Sequence, residues 1–147
     1  MTPYRPTYEN KEHLAKEQEL AEFVASKWQC DMRKQDKFNQ FDYVAMRASK
    51  VTAFVELRCR SNPINKYPTC FITSSKLAHA HSMHGATGLP ILFLVSWVDA
   101  IGFADLTKKY PITVGGRTDR GDKADVEAVA EIPIKDFKLF PYIFASL

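Results

Sequence analysis

The stretch FDYVAMRASKVTAFVELRCR, Phe41–Arg60, decides how the chain is read. It holds two short apolar runs joined by a polar turn at Ala48-Ser49-Lys50, and each run carries one acid. Asp42 sits beside Phe41, Tyr43, Val44 and Ala45, while Glu56 is embedded among Val51, Ala53, Phe54, Val55 and Leu57. Such a pair of runs predicts a β-hairpin with strands at 41–47 and 51–58, although the usual Asn-Gly or Asp-Gly turn is missing. Antiparallel pairing brings Asp42, near the start of one strand, across from the end of the next, where Glu56 falls. A carboxylate in a β-rich apolar run is costly to bury unless it is paired or binds a metal. Two neighbouring carboxylates repel unless a cation sits between them, and oxygen-only ligation of that kind suits Mg²⁺ or Mn²⁺. A plainer reading stays open, with Asp42 at the surface and Glu56 facing solvent from an edge strand.

Upstream, Pro3 and Pro6 mark residues 1–9 as an extended arm. Leu14, Leu20, Ala21, Phe23, Val24 and Trp28 then recur at helical spacing over 11–28. Residues 30–40 read as a polar, basic loop leading into the Asp42 strand. Its Arg33, Lys34 and Lys37 are candidates to hold a phosphate backbone, or are simply solvated. Downstream, 61–69 contains Pro63 and Pro68. A helix is expected over 73–85, capped by Thr73 or Ser74 and ended by Gly85 or Gly88. His79 and His81 point to different sides of that helix, and no cysteine or acid stands close as a further zinc ligand.

The run ILFLVSWV is continuously apolar, as in a central strand covered on both faces, so strands are expected at 91–98 and, past a turn, at 101–106. Residues 107–125 read as a charged loop in which Arg117 and Arg120 alternate with Asp119, Asp122 and Asp125. A strand follows at 126–134. The closing LFPYIFASL is apolar enough to pack on the core or on a second copy, so a homodimer fits.

A length of 147 residues suits one domain, 1–147, with a sizeable core. Hydrophobic content of 46% and charged content of 25% are ordinary for a globular protein, and a net charge of +3 permits a nucleic-acid partner without demanding one. The three cysteines form no CxxC pair, which argues against a disulfide framework and fits free thiols in a reducing, cytoplasmic setting. The longest apolar stretch is too short to span a bilayer, so no membrane partner is expected.

Asp42, followed about a dozen residues later by an acid-x-base step at the end of an apolar strand, resembles the PD-(D/E)xK nuclease superfamily. The likeness runs over roughly Asn10–Asp105 and is greatest to small stand-alone members such as archaeal Holliday-junction resolvases and short phage nucleases. It implies a restriction-endonuclease-like α/β fold, an α-β-β-α-β core with a central mixed sheet flanked by helices. It also implies metal-dependent hydrolysis of DNA. In that reading Asp42, Glu56 and the Leu57 carbonyl hold Mg²⁺ or Mn²⁺, and Glu17 on the first helix, with Glu19 as runner-up, supplies a further acid. Arg58 stands where the family usually has lysine. An arginine stays charged and cannot act as a base, so Lys76 or Arg60 would have to compensate. Arg60, Arg117 and Arg120 join the loop residues as candidate DNA contacts. The rival expectation is a protein that keeps the fold and binds nucleic acid, or serves as a structural accessory, without turnover.

Overall fold

The computed structural model describes residues 11–36, 39–116 and 126–140; the expected arm at 1–9 lies outside them. The first element is a helix, α1 (Lys11–Trp28), whose Leu20, Ala21 and Val24 form the buried stripe. Nine strands follow: β1 (Asp31–Lys34), β2 (Tyr43–Arg47), β3 (Lys50–Cys59), β4 (Thr69–Thr73), β5 (Ile91–Ser96), β6 (Ile101–Asp105), β7 (Ile112–Gly116), β8 (Val126–Pro133) and β9 (Lys138–Leu139). A second helix, α2 (Ser74–Thr87), lies between β4 and β5.

Six strands make a mixed sheet in the order β1-β2-β3-β5-β6-β9, and three make a smaller antiparallel sheet, β4-β8-β7. Only β3 and β5 run parallel in the large sheet, with Glu56 beside Phe93. Parallel neighbours need a long crossover, and β4 and α2 supply it. The α1 face of the sheet is closed by Leu20, Ala21, Val24, Tyr43, Val55, Leu57 and Leu94. On the opposite face, Ile91, Phe93 and Val95 pack with Ile72 of β4, Leu77 and Ala80 of α2, and Ala130 and Ile132 of β8. β5 is therefore covered on both sides, which is why its sequence is apolar throughout rather than alternating.

The central hairpin turns through Ala48 and Ser49, both in the left-handed region at φ 53° and 63°. Two consecutive positive φ values match the twist of the flanking strands, so the geometry of an Asn-Gly turn is adopted by residues poorly suited to it. A bulge between Ala45 and Met46 leaves Thr52 outside the pairing, and its hydroxyl donates to the Ala45 carbonyl at 3.2 Å.

Four strands lie where no strand was expected. β1 occupies part of the 30–40 stretch read as a loop; it is an edge strand with mostly exposed side chains, so it carries no alternating apolar signal. β7 takes Ile112–Gly116 out of the 107–125 loop because β8 pairs with it residue by residue. β4 fills the gap before α2, and β9 is a two-residue partner of β6.

Candidate active site

The hairpin register places Tyr43 opposite Val55, so Asp42 lies one step beyond the last pair, at the level of Glu56. There its side chain replaces a ladder acceptor: Asp42 Oδ2 accepts the Leu57 N–H at 3.0 Å. Because Val55 and Leu57 point into the α1 core, Glu56 points to the other face, towards α2. Its side chain is only 1% exposed, the one charged residue among the buried groups of the described residues.

Two cations meet it. Arg58 Nη2 lies 2.7 Å from Glu56 Oε2, and Lys76 Nζ lies 3.4 Å from Oε1. The lysine is within ion-pair reach but poorly aligned, so Oε1 has no hydrogen-bond partner. Burial pushes the Glu56 carboxyl above the ordinary carboxylate range and Asp42 adds to the rise, while Arg58 and Lys76 oppose it. A buried carboxyl perturbed by burial and by specific charges is a frequent property of functional sites.

Lys76 reaches this point because α2 begins beside it. The Thr73 hydroxyl caps the helix by accepting the Lys76 N–H at 3.2 Å, and Gly88 at φ 72° ends it with a bond from its N–H to the His84 carbonyl. The Lys76 ammonium also donates to the Gln40 carbonyl and lies 5.6 Å from the centroid of the Phe41 ring. Nothing in the sequence pattern singled out Gln40 or Phe41 for this role, since a backbone carbonyl and a ring face leave no motif.

Arg58 touches every oxygen group expected to ligate a metal except Glu17. Besides Glu56, its Nη1 donates to the Leu57 carbonyl at 3.0 Å and lies 3.5 Å from Asp42 Oδ2. The donor set is two carboxylates and a carbonyl, all hard oxygens, and the buried Glu56 Oε1 accepts no aligned hydrogen bond, having only the Lys76 ammonium at 3.4 Å. Those features fit a small divalent cation.

Glu17 is not drawn into this cluster. Its carboxylate pairs with Lys34 at 3.5 Å on the α1 side. There, after burial, its charge helps to raise the Tyr43 hydroxyl and the Cys59 thiol. Glu19 is exposed. Among the described residues, no group of three His, Cys, Asp or Glu side chains converges in a way that holds a metal.

Arg33 is exposed on the β1 edge, and Arg60, just past β3, donates to the Phe71 carbonyl at 3.2 Å. Lys37, Arg117 and Arg120 lie outside the described residues. The α2 histidines are exposed; His81 bonds the Lys108 carbonyl and His84 the Leu89 carbonyl, each at 2.8 Å.

Residues 3–140 match the sequence model of the family described as "Phage putative PDDEXK endonuclease". The chain belongs to this family.

Among solved structures, the chain is similar to Hjc of Archaeoglobus fulgidus, a Holliday junction resolvase from an archaeal hyperthermophile, with a TM-score of 0.52 and 12% identity. The match covers 83% of this chain and 87% of that one. At that identity the likeness concerns the fold, which is the restriction-endonuclease-like mixed sheet flanked by helices. No curated protein matches the chain. No helix among the described residues is long and apolar enough to cross a membrane.

Proposed function

We propose that the chain is a metal-dependent nuclease that hydrolyses phosphodiester bonds in DNA, the whole chain acting as one domain. The observation that carries this is the buried Glu56 carboxylate, which meets Arg58 and Lys76 while the same Arg58 reaches Asp42. Asp42, Glu56 and the Leu57 carbonyl would hold the ion, with Mg²⁺ or Mn²⁺ as the best fit to all-oxygen donors. The ion would supply positive charge against the phosphate and lower the pKa of a water.

The chain's own groups do the rest. Arg58 is permanently charged, so its part is to stabilise the negative charge that builds on the phosphoryl oxygens, not to move a proton. Lys76, tethered to Gln40, is a second cation fixed beside the reacting phosphate. Glu17 would hold a water or a second ion only after parting from Lys34, so its loss should cost less than that of Asp42 or Glu56. Arg33, Lys34 and Arg60, with Lys37, Arg117 and Arg120, would make sequence-independent backbone contacts. The same reading includes pairing of two copies through the apolar end of the chain and action in the cytoplasm. Light scattering tests the pairing.

The test is cleavage of plasmid, linear and branched DNA at low salt with Mg²⁺ or Mn²⁺. Wild type should cut, Asp42→Ala and Glu56→Ala should each lose at least a hundredfold, and Glu17→Ala should keep most of the activity. A second reading is favoured by Arg58, which lies on Asp42, Glu56 and the Leu57 carbonyl. In it the protein binds DNA without cutting. Retention of DNA by a wild type that cuts nothing with either ion would select that reading.

A further inference from the structure

β3 continues past the acids. Side chains on one face of a strand recur at roughly 6.7 Å, so Glu56, Arg58 and Arg60 form a row, and Arg60 stands about 13 Å beyond Glu56. The backbone keeps to this course because the Arg60 N–H bonds the Ser96 carbonyl at 2.7 Å, prolonging the parallel β3–β5 pairing. At the carboxyl ends of these two strands lies a pocket of about 340 Å³, lined by Arg60, Tyr67, Cys70 and Trp97, with the Phe71 carbonyl turned to Arg60. The carboxyl ends of parallel strands are the usual place for ligands in α/β sheets.

Its surfaces are unusual for this protein. Tyr67 is 54% exposed, whereas Trp97 is buried; the Phe71 ring, between the inward Cys70 and Ile72, points to the other face of β4 beside Glu131. Arg60 Nη2 is fixed by the Phe71 carbonyl at 3.2 Å and lies 3.8 Å from Cys70 Sγ. Lys66 lies 5.5 Å from the Tyr67 centroid. No carboxylate lines the pocket among the described residues. An exposed tyrosine ring with Lys66 over it and Arg60 in the same pocket, and no carboxylate among the lining residues, suits a planar ring joined to a phosphate.

We propose that this pocket receives an unpaired nucleobase of the substrate strand, stacked on Tyr67, with Arg60 on the adjoining phosphate. The inference rests on the nuclease reading and deepens it. The preferred substrate carries a single-stranded or splayed nucleotide a short distance from the bond to be cut, rather than uninterrupted duplex. A base in duplex is already stacked and cannot enter, whereas every unpaired base offers a face for stacking, so the preference is for structure and not for sequence.

The test uses Glu56→Gln protein, which should not cut, and a short oligonucleotide carrying one 2-aminopurine, as a single strand and as a blunt duplex. The single strand should bind more tightly, and its fluorescence should fall as the base stacks. Tyr67→Ala, a truncation of an exposed side chain, should weaken single-strand binding about 5- to 150-fold, the range for loss of one stacked base. Tyr67→Phe should restore it, and the thermal midpoint of each variant checks folding. Equal binding by Tyr67→Ala, or tighter binding of duplex, overturns the pocket assignment while leaving the nuclease reading intact. Failure of the protein to bind either DNA overturns both.

Discussion

Arg58 and Glu56 decide the chemistry at the scale of single residues. Arg58 places its charge among Asp42, Glu56 and the Leu57 carbonyl, so an incoming divalent ion must displace it. Replacing it with the neutral Arg58→Gln should tighten Mn²⁺ binding, measured by calorimetry, by about tenfold, the order expected for one partly screened charge a few ångströms away. The same variant should cut DNA more slowly, because the charge that stabilises the transition state is gone. Weaker Mn²⁺ binding would instead show that Arg58 props the acids in place.

Glu56 sets a pH dependence. Its carboxyl is raised above the ordinary value of 4.5, chiefly by burial, so the folded protein holds that proton more firmly than the unfolded chain does. The resulting stability is present below pH 4.5 and is lost as pH rises through the folded pKa. The thermal midpoint of Glu56→Gln should therefore gain on wild type as pH climbs above 4.5, with the advantage levelling off above the raised pKa. A gap that does not change with pH would mean that the carboxyl titrates normally.

At the scale of elements, the hairpin depends on a turn its sequence does not favour. Ala48 and Ser49 both hold left-handed backbone angles, a conformation that costs an ordinary residue roughly 1–2 kcal/mol. Ala48→Asn with Ser49→Gly should relieve part of that cost and raise stability by about 1 kcal/mol, read as a rise in the denaturation midpoint with unchanged dependence on denaturant. No gain would mean that the flanking strands already force the turn.

This turn also illustrates what sequence can reveal. The hairpin was legible because two apolar runs flank a polar gap, even without a turn signature. α1 and β5 were legible because one carries a helical stripe and the other is buried on both faces. β1, β4, β7 and β9 were not, because each is short and lies at a sheet edge, and β4 and β9 are held by partners distant in the chain. The same distinction applies to the site. Asp42 and Glu56 stood out as acids in apolar strands, whereas the tether of Lys76 to Gln40 exists only once α2 packs against the sheet.

For the whole molecule, the site is a junction. Asp42 comes from the entry to β2 and Glu56 from β3 in the large sheet, while Lys76 comes from the helix that follows β4 of the small sheet. A ligand gripping such a junction binds the folded chain and not the unfolded one, because in the unfolded chain these residues are not held together. Mass action then stabilises the fold by about 2.7 kcal/mol at a hundred times the dissociation constant. For a chain of this size that is a rise of roughly 5–10 °C in the thermal midpoint. Mn²⁺ should produce this rise in wild type at pH 7.5, and a chelator should reverse it. The rise should shrink at acid pH as Glu56 takes up its proton, because a protonated carboxyl is a poor ligand. Asp42→Ala should abolish it. A shift of full size in Asp42→Ala combined with Glu56→Ala would place the ion elsewhere and detach metal binding from the buried carboxylate at the centre of the site.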